Sequence, residues 1–258
     1  MNLQNNTILI TGGTGGFGYA FASKLLAMGN AVIITGRNEG KLQEVKRKLP
    51  EVHIIQSDVT QVEDVKNLYH QVMQQFPDLN ILINNAGEMR KISLQQEQDL
   101  NDITREVEIN LMGPIRMVQA FLPHLKKQKS AVILNVTSGI ALLPFAISPI
   151  YSASKAGLRS YTQALRVQLK NTGIKVMELV APGSSTSLND KFKSEDGFNP
   201  KMLMAPEKIV DAAIKGIQKN KDEIFPGLAK VMRIMSRLVP KLMISQAGKM
   251  GASFMYGN

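Results

Sequence analysis

The sequence predicts a doubly wound α/β fold, a mostly parallel sheet of about seven strands flanked by helices. Short β-prone runs alternate with helical stretches along most of the 258 residues. Several runs, such as Ile81-Leu82-Ile83 and Ala131-Val132-Ile133-Leu134, are continuously apolar, as burial on both faces of a parallel sheet requires. A glycine-rich turn joins the first run to the first helical stretch.

The elements follow in order. Residues 7–10 form a β-prone run that stops at the glycine turn. Apolar residues then recur at helical spacing over 19–28 until Gly29-Asn30 ends the helix. Residues 31–35 make a second strand, a charged helical stretch covers 41–49, and 52–56 make a third strand. A helix over 62–76, a strand over 80–84 and a long helical region over 99–127 come next. Then follow a strand over 131–136, a helix over 149–171 and a strand over 175–180. Residues 184–201 are polar, carry Glu195-Asp196-Gly197 and Pro200, and predict a mobile loop or lid. No repeat or linker divides the chain, so residues 1–258 read as one domain with a basic segment at about 228–258.

Composition narrows the function. With 44% hydrophobic and 20% charged residues the chain has material for a real core. It has no cysteine, which removes disulfides and thiolate chemistry and fits the cytoplasm. His53, His70 and His124 lack ligand spacing, so no metal site is expected. No run approaches the roughly 20 apolar residues of a spanning helix, and the first six residues lack the plan of a secretory leader.

The turn Thr11-Gly12-Gly13-Thr14-Gly15-Gly16-Phe17-Gly18 lies where the first strand feeds the first helix. Without Cβ atoms its backbone N–H groups can approach a pyrophosphate, and the helix N-terminus adds favourable partial charge. Two glycine frames fit: Gly13, Gly15, Gly18 and Gly12, Gly16, Gly18. The second strand runs into Gly36-Arg37-Asn38 with no carboxylate until Glu39. A guanidinium suits a 2′-phosphate, so Arg37 predicts NADP(H) over NAD(H); a solvated residue after a strand is the plain alternative.

Tyr151 and Lys155 are four residues apart on a predicted helix, about 6 Å along one face, so an ammonium can reach a phenol whose ordinary pKa is about 10. Ser138 follows the fifth strand, where doubly wound folds collect ligands, and could bond a substrate oxygen or merely cap a turn. Asn84-Asn85-Ala86-Gly87 closes the fourth strand in the same crevice, and Asn110 interrupts a run of helix formers.

Together these motifs resemble the short-chain dehydrogenase/reductase family over nearly the whole chain, with a Rossmann-type fold, and the subgroup associated with lipoteichoic-acid D-alanylation genes is the nearest in flavour. The resemblance selects the Gly12, Gly16, Gly18 frame. It implies that Tyr151 exchanges the proton, that Lys155 lowers the phenol's pKa and bonds the nicotinamide ribose, that Ser138 steadies the substrate oxygen, and that Asn110 supports a proton-relay water. It also implies cofactor contacts at Thr14, Phe17, Asp58, Val59, Asn85, Ala86, Gly87, Pro182 and Gly183, with Asn84 supporting the sheet and pocket. Where the family carries a Thr four residues past the Pro-Gly glycine this chain has Ser187, preceded by Thr186, and either hydroxyl could meet the cofactor. The implied substrate is a small carbonyl or alcohol, and the implied assembly is a homodimer or homotetramer built on two long helices. The alternative class is a non-catalytic nucleotide-binding scaffold or membrane-surface protein. Arg90 and Lys91 permit an anionic substrate.

The net charge is +10. From Lys201 onward ten Lys/Arg face four Asp/Glu, so most of the excess lies in this last part. Lys230, Arg233, Arg237 and Lys241 share one side of a predicted helix until Pro240 disturbs it. Such a helix can lie on an anionic membrane, or pack as a solvated face or subunit contact. With 5% aromatics and no Trp, nucleic acid is not expected.

Overall fold

The computed structural model describes residues 2–256. In chain order it contains β1 (Thr7–Thr11), α1 (Gly16–Ala27), β2 (Ala31–Gly36), α2 (Glu39–Lys48), β3 (His53–Gln56), α3 (Val62–Gln75) and β4 (Leu79–Asn84). Then come α4 (Arg105–Val107), a π-helical turn (Glu108–Met112), α5 (Gly113–Leu125), β5 (Ala131–Ser138), α6 (Pro149–Gln168), β6 (Ile174–Ala181) and the short α7 (Ser187–Asp190). The chain continues through α8 (Pro206–Gln218), β7 (Glu223–Ile224), α9 (Leu228–Leu238), α10 (Pro240–Ala247) and α11 (Ala252–Tyr256). The seven strands pair in parallel in the order β3-β2-β1-β4-β5-β6-β7. The order reverses at β1 and β4, so the connections leaving these strands diverge to opposite faces and open a crevice above their carboxyl ends.

The period of two along each strand sorts its side chains between two cores. Ile8 and Ile10 join Phe21, Leu25, Ile81 and Ile209 on one face. Leu9 turns the other way, toward Leu68, Leu82, Val118 and Phe121. All eight residues of β5 are buried, which explains the apolar run. Helix ends follow local chemistry. The Asn38 side chain accepts from Lys41 N at 2.9 Å to cap α2, and Lys46, Arg47 and Lys48 close its last turn.

Three expectations change. The helix predicted from 99 begins at Arg105, after turns, and is interrupted by the π turn at 108–112. Pro114 has no N–H to continue the ladder, and Gly113 N instead reaches back five residues to Glu108 O. The polar segment 184–201 is anchored: Ser184 bridges to Met204 and Phe192 is buried against Met89, Ile147 and Tyr151. Pro240 does not bend one long helix but starts a second, so Lys241 belongs to α10 and not to the helix of Lys230, Arg233 and Arg237. The seventh strand, β7, has two residues and carries too little pattern to be placed from sequence.

A candidate dinucleotide crevice with a Tyr-Lys-Ser centre

Above the switch point lies a crevice of about 410 Å³. Its floor is the glycine turn. Gly12 (φ 68°) and Gly16 (φ 52°) occupy the left-handed region. A Cβ on Gly12 would stand 2.7 Å from Ala86 Cα, and one on Gly18 would overlap the Gly12 carbonyl and meet Asn85 Nδ2 at 2.7 Å. Gly15 has extended backbone and open space where its Cβ would be. Backbone geometry therefore favours the Gly12, Gly16, Gly18 frame, with Gly13 needed for packing on Ile34. Replacing Gly18 with Ala is expected to cost about 1–3 kcal/mol in stability through overpacking and to abolish nucleotide binding, whereas Gly15→Ala should leave the melting temperature unchanged. Thermal melts and NADPH fluorescence titrations of the two variants check this.

β1 and β4 are locked together at their exits. Thr11 Oγ1 accepts from the N–H groups of Asn85 and Ala86 at 3.0 Å each, and Asn85 Nδ2 donates to Thr11 O and Gly12 O. Asn84 lies inside the sheet, donating to Asn135 Oδ1 at 2.8 Å, so it serves the strand array and not the crevice wall. α1 has no side-chain cap, which leaves its first N–H groups for a ligand in the crevice.

At the other end, β5 delivers Ser138 as its last residue and α6 presents Tyr151 and Lys155 one turn apart; all three border the crevice. Ser138 Oγ accepts from Ile140 N at 3.3 Å, so it caps the turn, and its hydroxyl lies near enough to the Tyr151 phenol to oppose the rise of the phenol's pKa. Lys155 Nζ donates to Val136 O at 2.9 Å and stands 5.8 Å from the centre of the Tyr151 ring. Burial pushes the phenol up to about 12, opposed by the Ser138 hydrogen bond and reinforced by the charge of Glu106. Burial also pushes the Lys155 ammonium down to about 8. Desolvation is the largest influence on the phenol in this geometry and acts opposite to the lowering implied for Lys155.

Asn110 sits in the π turn and is fully buried. Its Oδ1 accepts from Glu88 N at 2.9 Å, while Nδ2 donates to Glu88 O at 2.8 Å and Ser154 Oγ at 3.0 Å. The amide thus ties the exit of β4 to α6 beside Lys155. Arg90 is bonded to Asp102 and to the buried Glu106, and Lys91 pairs with Glu195 at 2.6 Å. Both cations are occupied within the protein, which removes the sequence argument for an anionic substrate.

The residues fit a dinucleotide. Thr35 Oγ1 and Ser57 Oγ border the crevice, are buried and have no hydrogen-bond partner, so two polar atoms stand ready for a polar ligand. Arg37 lies at the adenosine end, 62% exposed and 4.0 Å from Glu88 Oε2, and Lys41 adds a second cation there. Asp58 and Val59 border the same end; Asp58 Oδ1 accepts from Thr60 N and Oγ1 at 2.9 and 2.8 Å. Thr14 packs beside Gly36, and Phe17, Pro182 and Gly183 complete the walls. The Thr186 methyl faces Gly16, its hydroxyl lies 3.3 Å from Ser184 Oγ, and Ser187 also borders the crevice.

A family model described as short chain dehydrogenase matches residues 6–197. The chain belongs to the short-chain dehydrogenase/reductase family. It is 39% identical over 225 residues, 87% of its length and 89% of the relative's, to the oxidoreductase DltE of Bacillus subtilis (strain 168), which supports the anticipated subgroup. It superposes with a TM-score of 0.83 on a short-chain dehydrogenase from Burkholderia cenocepacia in complex with NADP, at 24% identity and covering 96% and 99% of the two chains. A family structure from Burkholderia phymatum in complex with NAD gives 0.82, at 23% identity over 92% and 95%. This short-chain dehydrogenase/reductase is therefore an NAD(P)-dependent oxidoreductase of Rossmann-type fold, and of the two Burkholderia structures one holds NADP and the other NAD.

Sequence reasoning missed Thr35, Ser57, Lys41 and Met232. Lys41 could have been found one helical turn beyond Arg37. Met232 lies in α9, its sulfur 2.8 Å from where a Gly139 Cβ would stand, and it carries no local signal.

Proposed function

We propose that this protein is an NADP(H)-dependent carbonyl reductase or alcohol dehydrogenase with Tyr151 as general acid/base. The observation that carries this is the convergence of Tyr151, Ser138 and Lys155 on one crevice with the glycine turn. The nicotinamide, when bound, supplies or accepts the hydride. In reduction Tyr151 Oη gives its proton to the carbonyl oxygen, and the Ser138 hydroxyl holds that oxygen while it gains charge. The Lys155 ammonium, held by Val136 O, faces the ribose side and favours the phenolate left behind. Asn110 is a positioning residue for Glu88 and Ser154. The homo-oligomer implied by the family would use the long helices α5 and α6.

The substrate side is apolar. Ile140, Leu188 and Met232 line it, and Met89, Phe192 and Met255 pack around Tyr151. With Arg90 and Lys91 occupied, the substrate favoured is an uncharged carbonyl with apolar substituents. NADPH depletion across ketones, aldehydes and quinones tests the reading. Turnover of hydrophobic carbonyls supports it, and failure to bind NADPH overturns it.

Arg37 gives the cofactor prediction. A charge-assisted contact to a 2′-phosphate is worth about 1.5–3 kcal/mol, so Arg37→Ala is expected to raise the NADPH dissociation constant roughly 10- to 100-fold and to leave NADH nearly unchanged. Tighter binding of NADH than NADPH by the wild type refutes the assignment.

A further inference from the structure

From Ile224 to Asn258 the sequence has five Lys/Arg and no Asp or Glu. Of the twelve exposed large apolar side chains among the described residues, six fall in α9 and α10, at Leu228, Val231, Ile234, Leu238, Leu242 and Ile244, and a seventh, Tyr256, ends α11. Such clustering on a water-exposed helix marks a contact surface. α9 has two occupied sides. Inward, Ala229 is buried and Met232 packs on Gly139 at the crevice wall. At its edge Arg233 pairs with Glu223 at 3.3 Å and lies 4.6 Å over the Phe225 ring, which fixes the helix through the Arg159–Glu178 pair to the sheet. Outward, Val231 (52% exposed), Ile234 (57%) and Leu238 (72%) recur at three- and four-residue steps. Lys230, Arg237 and Lys241 flank this stripe, exposed and in no ion pair among the described residues.

Charge identifies the occupant. A second copy docking through the same patch would set these cations against themselves with no acidic residue from 224 onward to answer them. An anionic bilayer answers them, while the stripe enters the acyl boundary. We infer that the outward face of α9 and the start of α10 dock this enzyme on an anionic lipid bilayer. Among the described residues no helix is long and apolar enough to cross a membrane, so the contact is peripheral. It would place the Met232 wall of the crevice one helix diameter from lipid.

The full chain is tested by co-sedimentation with phosphatidylcholine vesicles with and without phosphatidylglycerol, alongside light scattering. The wild type is expected to bind only the vesicles containing phosphatidylglycerol. At about fivefold per cation, Lys230→Glu/Arg237→Glu/Lys241→Glu should lower partitioning by roughly a hundredfold or more. Val231→Ser/Ile234→Ser/Leu238→Ser, which keeps the charge, should lower it by about tenfold or more. Lys126→Glu/Lys127→Glu/Lys129→Glu removes the same charge from a surface outside the 224–258 segment and should bind like the wild type. NADPH binding, which does not involve the stripe, verifies folding of each variant and fails separately if the cofactor reading is wrong. The inference is overturned if the control triple loses binding equally, if the serine triple binds undiminished, if the wild type does not bind, or if the serine triple instead dissociates an oligomer.

Discussion

Tyr151→Phe is expected to reduce kcat/KM for carbonyl reduction by about 10²- to 10⁴-fold while leaving the NADPH dissociation constant within about twofold of wild type. The substitution removes one hydroxyl. The ring keeps its packing against Met89, Ile147, Phe192 and Met255, and the glycine turn at the other end of the crevice is untouched. Because burial pushes the phenol up to about 12, the proton stays on Tyr151 throughout neutral pH and can be delivered to a substrate oxygen. Ser138 borders the same crevice and would hold the same substrate oxygen, so the two act as a unit. Ser138→Ala should cost less than Tyr151→Phe, and the double variant should fall little below Tyr151→Phe alone, since residues acting together on one oxygen are not additive. Steady-state kinetics of the three variants with NADPH titration check this. Wild-type turnover by Tyr151→Phe eliminates the acid/base role.

Sequence pattern exposed the parts of this enzyme that local physics writes into neighbouring residues. β5 is legible because its eight residues are all buried, which keeps the run apolar. Tyr151 and Lys155 are legible because four residues return to one helical face. The glycine frame was ambiguous by spacing, and the positive φ of Gly12 and Gly16, the close approach of Gly12 to Ala86 and the open space at Gly15 separate the two registers. What stayed hidden depends on distant segments meeting. The π turn that buries Asn110 arises from Pro114 and the packing of Gly113 on Val59, neither of which alters the helical periodicity. Phe192 and Met255 reach Tyr151 from the segment 184–201 and from α11, and Met232 reaches the crevice from α9. Arg90 and Lys91 looked free because their partners Asp102, Glu106 and Glu195 lie on other segments.

Lys155→Met is expected to abolish most activity yet raise thermal stability at pH 7. Lys155 is 4% exposed, and its hydrogen bond to the Val136 carbonyl offsets only part of the burial of the ammonium. Its pKa falls from 10.5 to about 8, so the unfolded chain binds more protons than the folded one between those limits. Stability therefore rises with pH across that window. The benefit is complete above about 10.5 and is lost as pH falls through about 8, where the buried charge costs about 3 kcal/mol. Methionine has similar length and no charge, so the variant should lack this pH dependence and melt several degrees higher than wild type at pH 7, with the gap closing toward pH 10. Reduction by the wild type should correspondingly decline above about pH 8 as the ammonium that favours the phenolate is lost. Melting curves from pH 6 to 10 on both proteins decide the matter. A variant less stable than wild type at pH 7 would mean that the ammonium's contacts outweigh its desolvation, and would remove the reason to regard Lys155 as a charge kept for function at a cost to the fold.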